Sequence, residues 1–281
     1  AFWKHNRPGS QGLQCVIKSG RSRRHMMIGV VAGVGPFAGL DLLKKIATQT
    51  VARSDQEHLA VVSISRPSTI PDRTSFLMGE TTLNPAAPIL EQLRQLEQIG
   101  ASVAGIPCNT AHAPLIMDVI LEELEASGSR LNLLHMVRET GKFLQRHYPS
   151  AYRVGLLSTV GTSLSRVYPL SLEPLGFEVV EPAVRESKEL VHRAIYDGDY
   201  GIKARGYATE RARKDLLRII EDLETAGAQA VILGCTELPL AFPENEMNGL
   251  PIVDSTMALA RALIGAVDPL KLRPWPVQPS G

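Results

Sequence analysis

Cysteine, aromatic residues and long apolar runs are all scarce in this chain of 281 residues, and each scarcity excludes a class of protein. Three cysteines cannot build the disulfide framework of a small secreted domain and fit a reduced, cytoplasmic setting. Aromatics make up 5% of the residues, and both tryptophans, Trp3 and Trp275, lie near the ends. No apolar run reaches the roughly 18 residues that a membrane-spanning helix needs. The body also lacks an excess of positive charge. Residues 1–25 carry six of the 30 basic residues and no acid, leaving 24 bases against 29 acids, or −5, in the remainder. Such a body is a poor partner for nucleic acid, whose binding is dominated by phosphate charge. What is present is ordinary globular material, 44% hydrophobic and 21% charged, enough for one or two domains.

The ends read as additions. Residues 1–26 show no helical or strand period, and His25-Met26 resembles a cloning junction, so this stretch is expected to be a leader or a cloning scar with Met27 as the natural start. Cys15 falls there and has no assigned role. Residues 267–281, with Pro274, Pro276 and Pro279, are expected to be a loose tail.

Between them runs an α/β pattern. Ile28 to Ala32 is an apolar strand that breaks into Gly33-Val34-Gly35-Pro36, and Leu40, Leu43, Ile46 and Ala47 mark the stripe of a following helix. Leu59 to Ile64 reads as a strand, Ile89, Leu93, Leu96 and Ile99 as a helix ending at Gly100, and Val103 to Ile106 as a strand leading to Cys108. The order then recurs. Val154 to Ser158 leads to Val160-Gly161-Thr162 and a helix from about Ser163; Phe177 to Val180 is a strand; Leu216, Ile219, Ile220 and Leu223 mark a helix stopping at Gly227; Ala230 to Leu233 leads to Cys235. Gly29 and Gly155 lie 126 apart, while Leu96 and Leu223, Gly100 and Gly227, and Cys108 and Cys235 each lie 127 apart. Four matches at nearly one offset argue for two homologous halves. The expected fold is therefore α/β, with two similar parallel-sheet domains related by a pseudo-twofold and a site in the cleft between them. The expected boundaries are 27–131, completed by 249–266, for the first domain and 132–248 for the second.

Both cysteines follow a strand and precede a helix start, where free N–H groups lower a thiol pKa. Four readings of the pair compete. Inert buried cysteines are common. A zinc site using Cys108 and His112 wants more ligands than are near in sequence, and no CxxC is present. A Cys–His nucleophile can take His112 as its base. Two opposed thiols can also act as a pair of bases, one removing a proton from carbon and the other returning one to the opposite face. The Gly33-x-Gly35 loop lacks the third glycine of a dinucleotide fingerprint, and no sequence points to a cofactor or a metal.

The strings Gly33-Val34-Gly35-Pro36, Ile70-Pro71-Asp72-Arg73-Thr74, Pro107-Cys108-Asn109-Thr110-Ala111-His112, Thr159-Val160-Gly161-Thr162, Ile195-Tyr196 and Gly234-Cys235-Thr236-Glu237 together resemble the pyridoxal-phosphate-independent aspartate/glutamate racemase family, most closely its aspartate racemase branch. The resemblance spans nearly all of 27–265. Glu237, where the glutamate racemase branch carries histidine, points away from that branch. The resemblance implies a cofactor-independent enzyme, a small acidic amino acid as substrate and a homodimer. It implies catalytic roles for Cys108 and Cys235, substrate-carboxylate contacts from Asn109, Thr110 and Thr236, and recognition of an acidic side chain by Arg73 and Lys203. It also implies that Thr159, Thr162, Gly33 and Val34 line the pocket. A glutamate or broader-specificity racemase, or a related cysteine-dependent isomerase or decarboxylase of small dicarboxylates, stands as the alternative; a catalytically dead binding module is a further one.

Overall fold

The chain alternates strand and helix because its strands are short apolar runs buried on both faces, which need helices to cover them. The computed structural model describes residues 26–182 and 185–276, so the leader or scar expected at 1–26 lies almost wholly outside the described residues. The first half contains β1 (Met27–Val31), α1 (Pro36–Gln49), β2 (Val61–Ile64), α2 (Arg73–Leu77), α3 (Ala86–Ile99), β3 (Ala101–Gly105), α4 (Pro114–Ala126) and β4 (Asn132–Leu134). Helix α5 (Met136–His147) leads to the second half, with β5 (Arg153–Ser158), α6 (Val160–Leu164), α7 (Val167–Leu172), β6 (Glu178–Val180), α8 (Arg185–Tyr196), α9 (Ile202–Arg205), α10 (Glu210–Thr225), β7 (Ala230–Gly234), β8 (Glu246–Met247) and β9 (Leu250–Asp254). Helix α11 (Ser255–Val267) returns across the molecule.

The duplication is a structural repeat. One sheet has the order β2-β1-β3-β4 and the other β6-β5-β7-β9-β8. All pairings are parallel except β8 with β9, an antiparallel edge that the repeat does not contain. The glycines that set the offset do the same work in each half. A Cβ on Gly29 would meet Leu96 and Ala101 at 3.0–3.3 Å, and one on Gly155 would meet Leu223 and Ala228 at 3.2 Å. Each strand glycine lets its helix lie close to the sheet, and the four partners keep the same 127-residue spacing. Gly100 and Gly227 both close their helices with positive φ, +112° and +87°.

Core positions alternate along the strands. Ile28, Val30 and Val103 face α1 and α11, while Val31 and Ala104 face α3 and α4. In the second sheet, Val231 and Leu233 face α8 and α10, and Ala230 and Ile232 face α5 and α7.

Several expectations change. The α1 stripe is Ala38, Leu42 and Ile46; Leu40 is 64% exposed. Ile99 is exposed at the end of α3. The helix expected from Ser163 is two pieces, because Arg166 sits in the left-handed region at φ +52° between α6 and α7. Strand β4 pairs with β3, so the first sheet runs past the expected break at 131. Strand β9 pairs with β7, so only α11 of the expected 249–266 return packs on the first half. Residues 268–276 are not loose. Val51 N–H donates to Lys271 O (2.7 Å), Arg273 N–H to Gln49 O (3.0 Å), and the Trp275 ring sits 5.0 Å from Phe143.

Candidate active site

The chain beyond each of the equivalent strands β3 and β7 turns into one cleft. Val34, Gly35, Arg73, Thr74, Pro107, Cys108, Asn109, Thr110, Tyr196, Lys203, Cys235, Thr236 and Glu237 line it. Both thiols, from corresponding positions in the two halves, thus face one space. Hydrogen bonds between the halves hold its floor. Thr110 and Thr162 hydroxyls lie 3.0 Å apart, Tyr168 Oη donates to Asn109 Oδ1 (2.7 Å), and Asn109 Nδ2 donates to Ser255 Oγ (3.3 Å). Ser255 in turn donates to Leu233 O (2.9 Å), tying the first half's Asn109 to β7. At the mouth, a Cβ on Gly161 would lie 2.7 Å from Thr74 Oγ1, so that glycine permits α6 to approach α2.

The Cys108 wall carries Arg73. Asp72 caps α2 by accepting from Ser75 N–H (2.8 Å), which places Arg73 in the first turn. Arg73 donates to Val34 O (2.8 Å) and Pro71 O (3.2 Å) and leaves a buried Nε without a partner. Burial works against its charge, but the Cys108 sulfur and Asp72 outweigh it and hold the guanidinium pKa above its ordinary value.

The Cys235 wall is a four-member network. Cys235 Sγ donates to Glu237 Oε2 (2.9 Å), Thr236 Oγ1 donates to the same oxygen (3.2 Å), and Lys203 Nζ pairs with Oε1 (2.9 Å). Lys203 Nζ also lies 5.0 Å from the centre of the Tyr196 ring. Burial pushes the Cys235 thiol pKa well up, and Glu237 pushes it the same way, against Lys203. Burial alone would raise the Glu237 pKa; Lys203 and the donors from Cys235 and Thr236 reverse this and hold it low. Lys203 is held above the ordinary lysine value because Glu237, Tyr196 and Cys235 outweigh burial. The Tyr196 phenol is pushed by burial up to about 12 and stays protonated. The sequence expectation of a lowered thiol pKa at a helix start does not hold for Cys235, because a neighbouring carboxylate and burial dominate.

The structure brings nine of the implied residues to or against the cleft, counting Cys108, Cys235, Asn109, Thr110, Thr236, Arg73, Lys203 and Val34 in its lining and Thr162 behind Thr110. Thr159 lies one step further back, bonded to Thr162 at 3.2 Å. Gly33 does not line the cleft. A Cβ there would lie 2.4 Å from Arg66 N, so Gly33 lets the loop after β1 pass the backbone after β2. His112 also lies outside the lining. Its Nε2 donates to Ile106 O (3.1 Å), its ring is 4.6 Å from that of His135, and burial keeps it neutral. Among the described residues no group of three or more His, Cys, Asp or Glu is arranged to hold a metal. Glu237, Tyr196 and Thr74 also line the cleft, with no site role expected of them from the sequence. Two signals were available for Glu237, its place two residues after Cys235 and its departure from the histidine of the glutamate racemase branch; nothing in the sequence places Tyr196 over Lys203.

Two parallel α/β lobes with a thiol from each in a shared cleft define a class of two-lobed, cysteine-bearing α/β proteins. The model of the Asp/Glu/Hydantoin racemase family matches residues 31–263, and the chain belongs to that family. An aspartate racemase from Picrophilus torridus superposes with a TM-score of 0.71 at 28% identity, covering 86% of this chain and 94% of its own. The broad specificity amino-acid racemase RacX of Bacillus subtilis (strain 168) is 26% identical over 242 residues, 85% of this chain and 96% of that protein. A glutamate racemase of Listeria monocytogenes is 25% identical over 211 residues, 71% of this chain and 73% of that protein. The three relatives carry three different substrate descriptions.

Proposed function

We propose that the protein is a cofactor-independent racemase of acidic amino acids, foremost aspartate, in which Cys108 and Cys235 exchange the α-proton from opposite faces. The observation that carries this reading is the meeting of the two repeat-related thiols in one cleft that also holds Arg73 and Lys203. In one direction the Cys108 thiolate takes the α-proton and becomes a thiol, while the Cys235 thiol gives its proton to the other face and becomes a thiolate. The opposite enantiomer restores the starting state, so protons and charge balance over a cycle.

The network around Cys235 supports this direction for the free enzyme. A thiol that donates to a carboxylate is held in its acid form, which leaves Cys108, on the wall that carries Arg73, as the base in this reading. The carbanion is the costly species. The Thr110 hydroxyl and the Asn109 amide are fixed around the space by the bonds described above, and donors set in advance stabilise developing charge without reorganisation; Thr236 joins them when its one hydroxyl proton turns from Glu237 to the substrate. General acid–base transfer contributes about 10²–10⁴-fold, so this preorganisation has to supply much of the remainder. Arg73 suits a carboxylate through its planar fork, Lys203 as a point charge.

A broader substrate range has one observation in its favour. Lys203 is already paired with Glu237 at 2.9 Å, so an incoming side-chain carboxylate has to share it. A chiral assay of α-proton exchange over a panel of amino acids, without added cofactor, tests both readings. Exchange confined to aspartate and glutamate supports acidic specificity, equal exchange of neutral amino acids supports the broader range, and no exchange with any of them contradicts the proposal.

A further inference from the structure

A second cavity lies away from the thiols, between α5 and α11, and is the larger of the two, about 830 Å³ including space open to solvent. Its floor is made of small residues one helical turn apart on α11, Ala258, Ala262 and Gly265, which keep the helices from filling the groove. Its wall on α5 carries Lys142, Arg146 and His147, and α11 contributes Arg261. One acid is present, Glu139, and it pairs with Lys142 at 2.7 Å.

Arg261 is the informative residue. It is 6% exposed, and its guanidinium donates to the neutral Gln49 Oε1 (2.6 Å) and lies 5.2 Å from the centre of the Trp275 ring. Among the described residues no carboxylate pairs with it. Burial lowers its pKa, and repulsion from Arg146 adds to this. The same field, with burial first, pushes the His147 pKa down to about 4. A cation taken out of water without a counter-ion is unfavourable, and the groove beside it is open to an anion that would supply one.

We propose that the groove between α5 and α11 is a second ligand site, for a small polyvalent anion of the phosphate type, held by Arg261 and Arg146. Arg146 gives charge at the rim and Arg261 a buried fork. The two helices also reach the catalytic cleft, since Ser255 at the start of α11 holds Asn109 and α5 packs beside α7, which carries Tyr168.

Trp275 makes the site readable. In a full-length Trp3→Phe chain it is the only tryptophan left, and it packs on Arg261. Titration with inorganic pyrophosphate at an ionic strength held constant with sodium chloride is expected to give a saturable change in Trp275 emission. Arg146→Ala, on an exposed position, is expected to weaken that binding by about tenfold, the loss of one charge-assisted contact. Arg261→Met is expected to abolish it. A response that does not saturate, or equal affinity in the parent and Arg146→Ala chains, overturns the proposal even if Arg261→Met fails to fold. The test reads binding and does not depend on the racemase reading.

Discussion

Cys235 donates its thiol proton to Glu237 across 2.9 Å, and the same carboxylate is anchored by Lys203 on its other oxygen. The arrangement fixes a proton on one of the two sulfurs before any substrate arrives. In a Cys108→Ala background, Glu237→Gln removes the negative charge while keeping the shape. Alkylation of Cys235 by iodoacetamide is then expected to begin at lower pH than with Glu237 present. The pH dependence of the alkylation rate reads this, and an unchanged profile means that Glu237 does not control the thiol.

The ion pair behind that proton predicts a double-mutant cycle. Lys203→Met leaves the Glu237 carboxylate buried and unpaired, and is expected to cost about 1–3 kcal/mol, less than a fully buried pair because the Lys203 side chain keeps 30% exposure. Adding Glu237→Gln is expected to restore most of it, with the coupling read from urea unfolding of the four proteins.

Recognition of an acidic side chain is expected to rest on Arg73. Arg73→Ala should reduce the preference for aspartate over alanine by about ten- to a hundredfold, the worth of a charge-assisted hydrogen bond. Arg73→Lys should recover part of it, since the charge remains and the fork is lost. Equal discrimination in all three proteins separates Arg73 from the substrate.

Acid should destabilise the fold before its carboxylates titrate. His112 and His135 are packed ring against ring, and burial depresses both, His135 to about 4. With folded pKa values below the unfolded value of about 6.5, the unfolded chain binds more protons, so stability is lost as pH falls from there. The expected slope is on the order of 1 kcal/mol per pH unit for each histidine. His135→Gln should flatten it, as measured by denaturant unfolding between pH 7 and pH 4.5. Glu237, whose folded pKa is lowered, adds a further loss only below the ordinary glutamate value of about 4.3.

How much of this was legible follows from what each signal depends on. The duplication was readable because Gly29 and Gly155 meet the same helix and strand residues in each half, a packing constraint that leaves residue identity at a fixed spacing. The strand-end position of the two thiols followed from the apolar runs before them. Three-residue β4 was not readable, since Asn132–Leu134 carries too few residues for a period. The crossing of α5 and α11 between the halves is set by tertiary packing and leaves no local trace. Leu40 lies at helical spacing from Leu43 and Ala47, yet the buried face of α1 is turned toward Leu42. Glu237 sat in plain view beside Cys235, but its partner Lys203 is 34 residues earlier, and only the fold reveals that the two are paired.

The central claim is that the two thiols work from opposite faces of one carbon. The measurement that tests it most directly is racemisation of L-aspartate in deuterium oxide, with recovered substrate and product separated at low conversion. The account predicts one deuterium at the α-carbon of newly formed D-aspartate, protium retained in the recovered L-aspartate, and loss of the reaction in folded Cys108→Ala and Cys235→Ala proteins alike. Full activity in either variant, or equal deuterium in substrate and product, would contradict it.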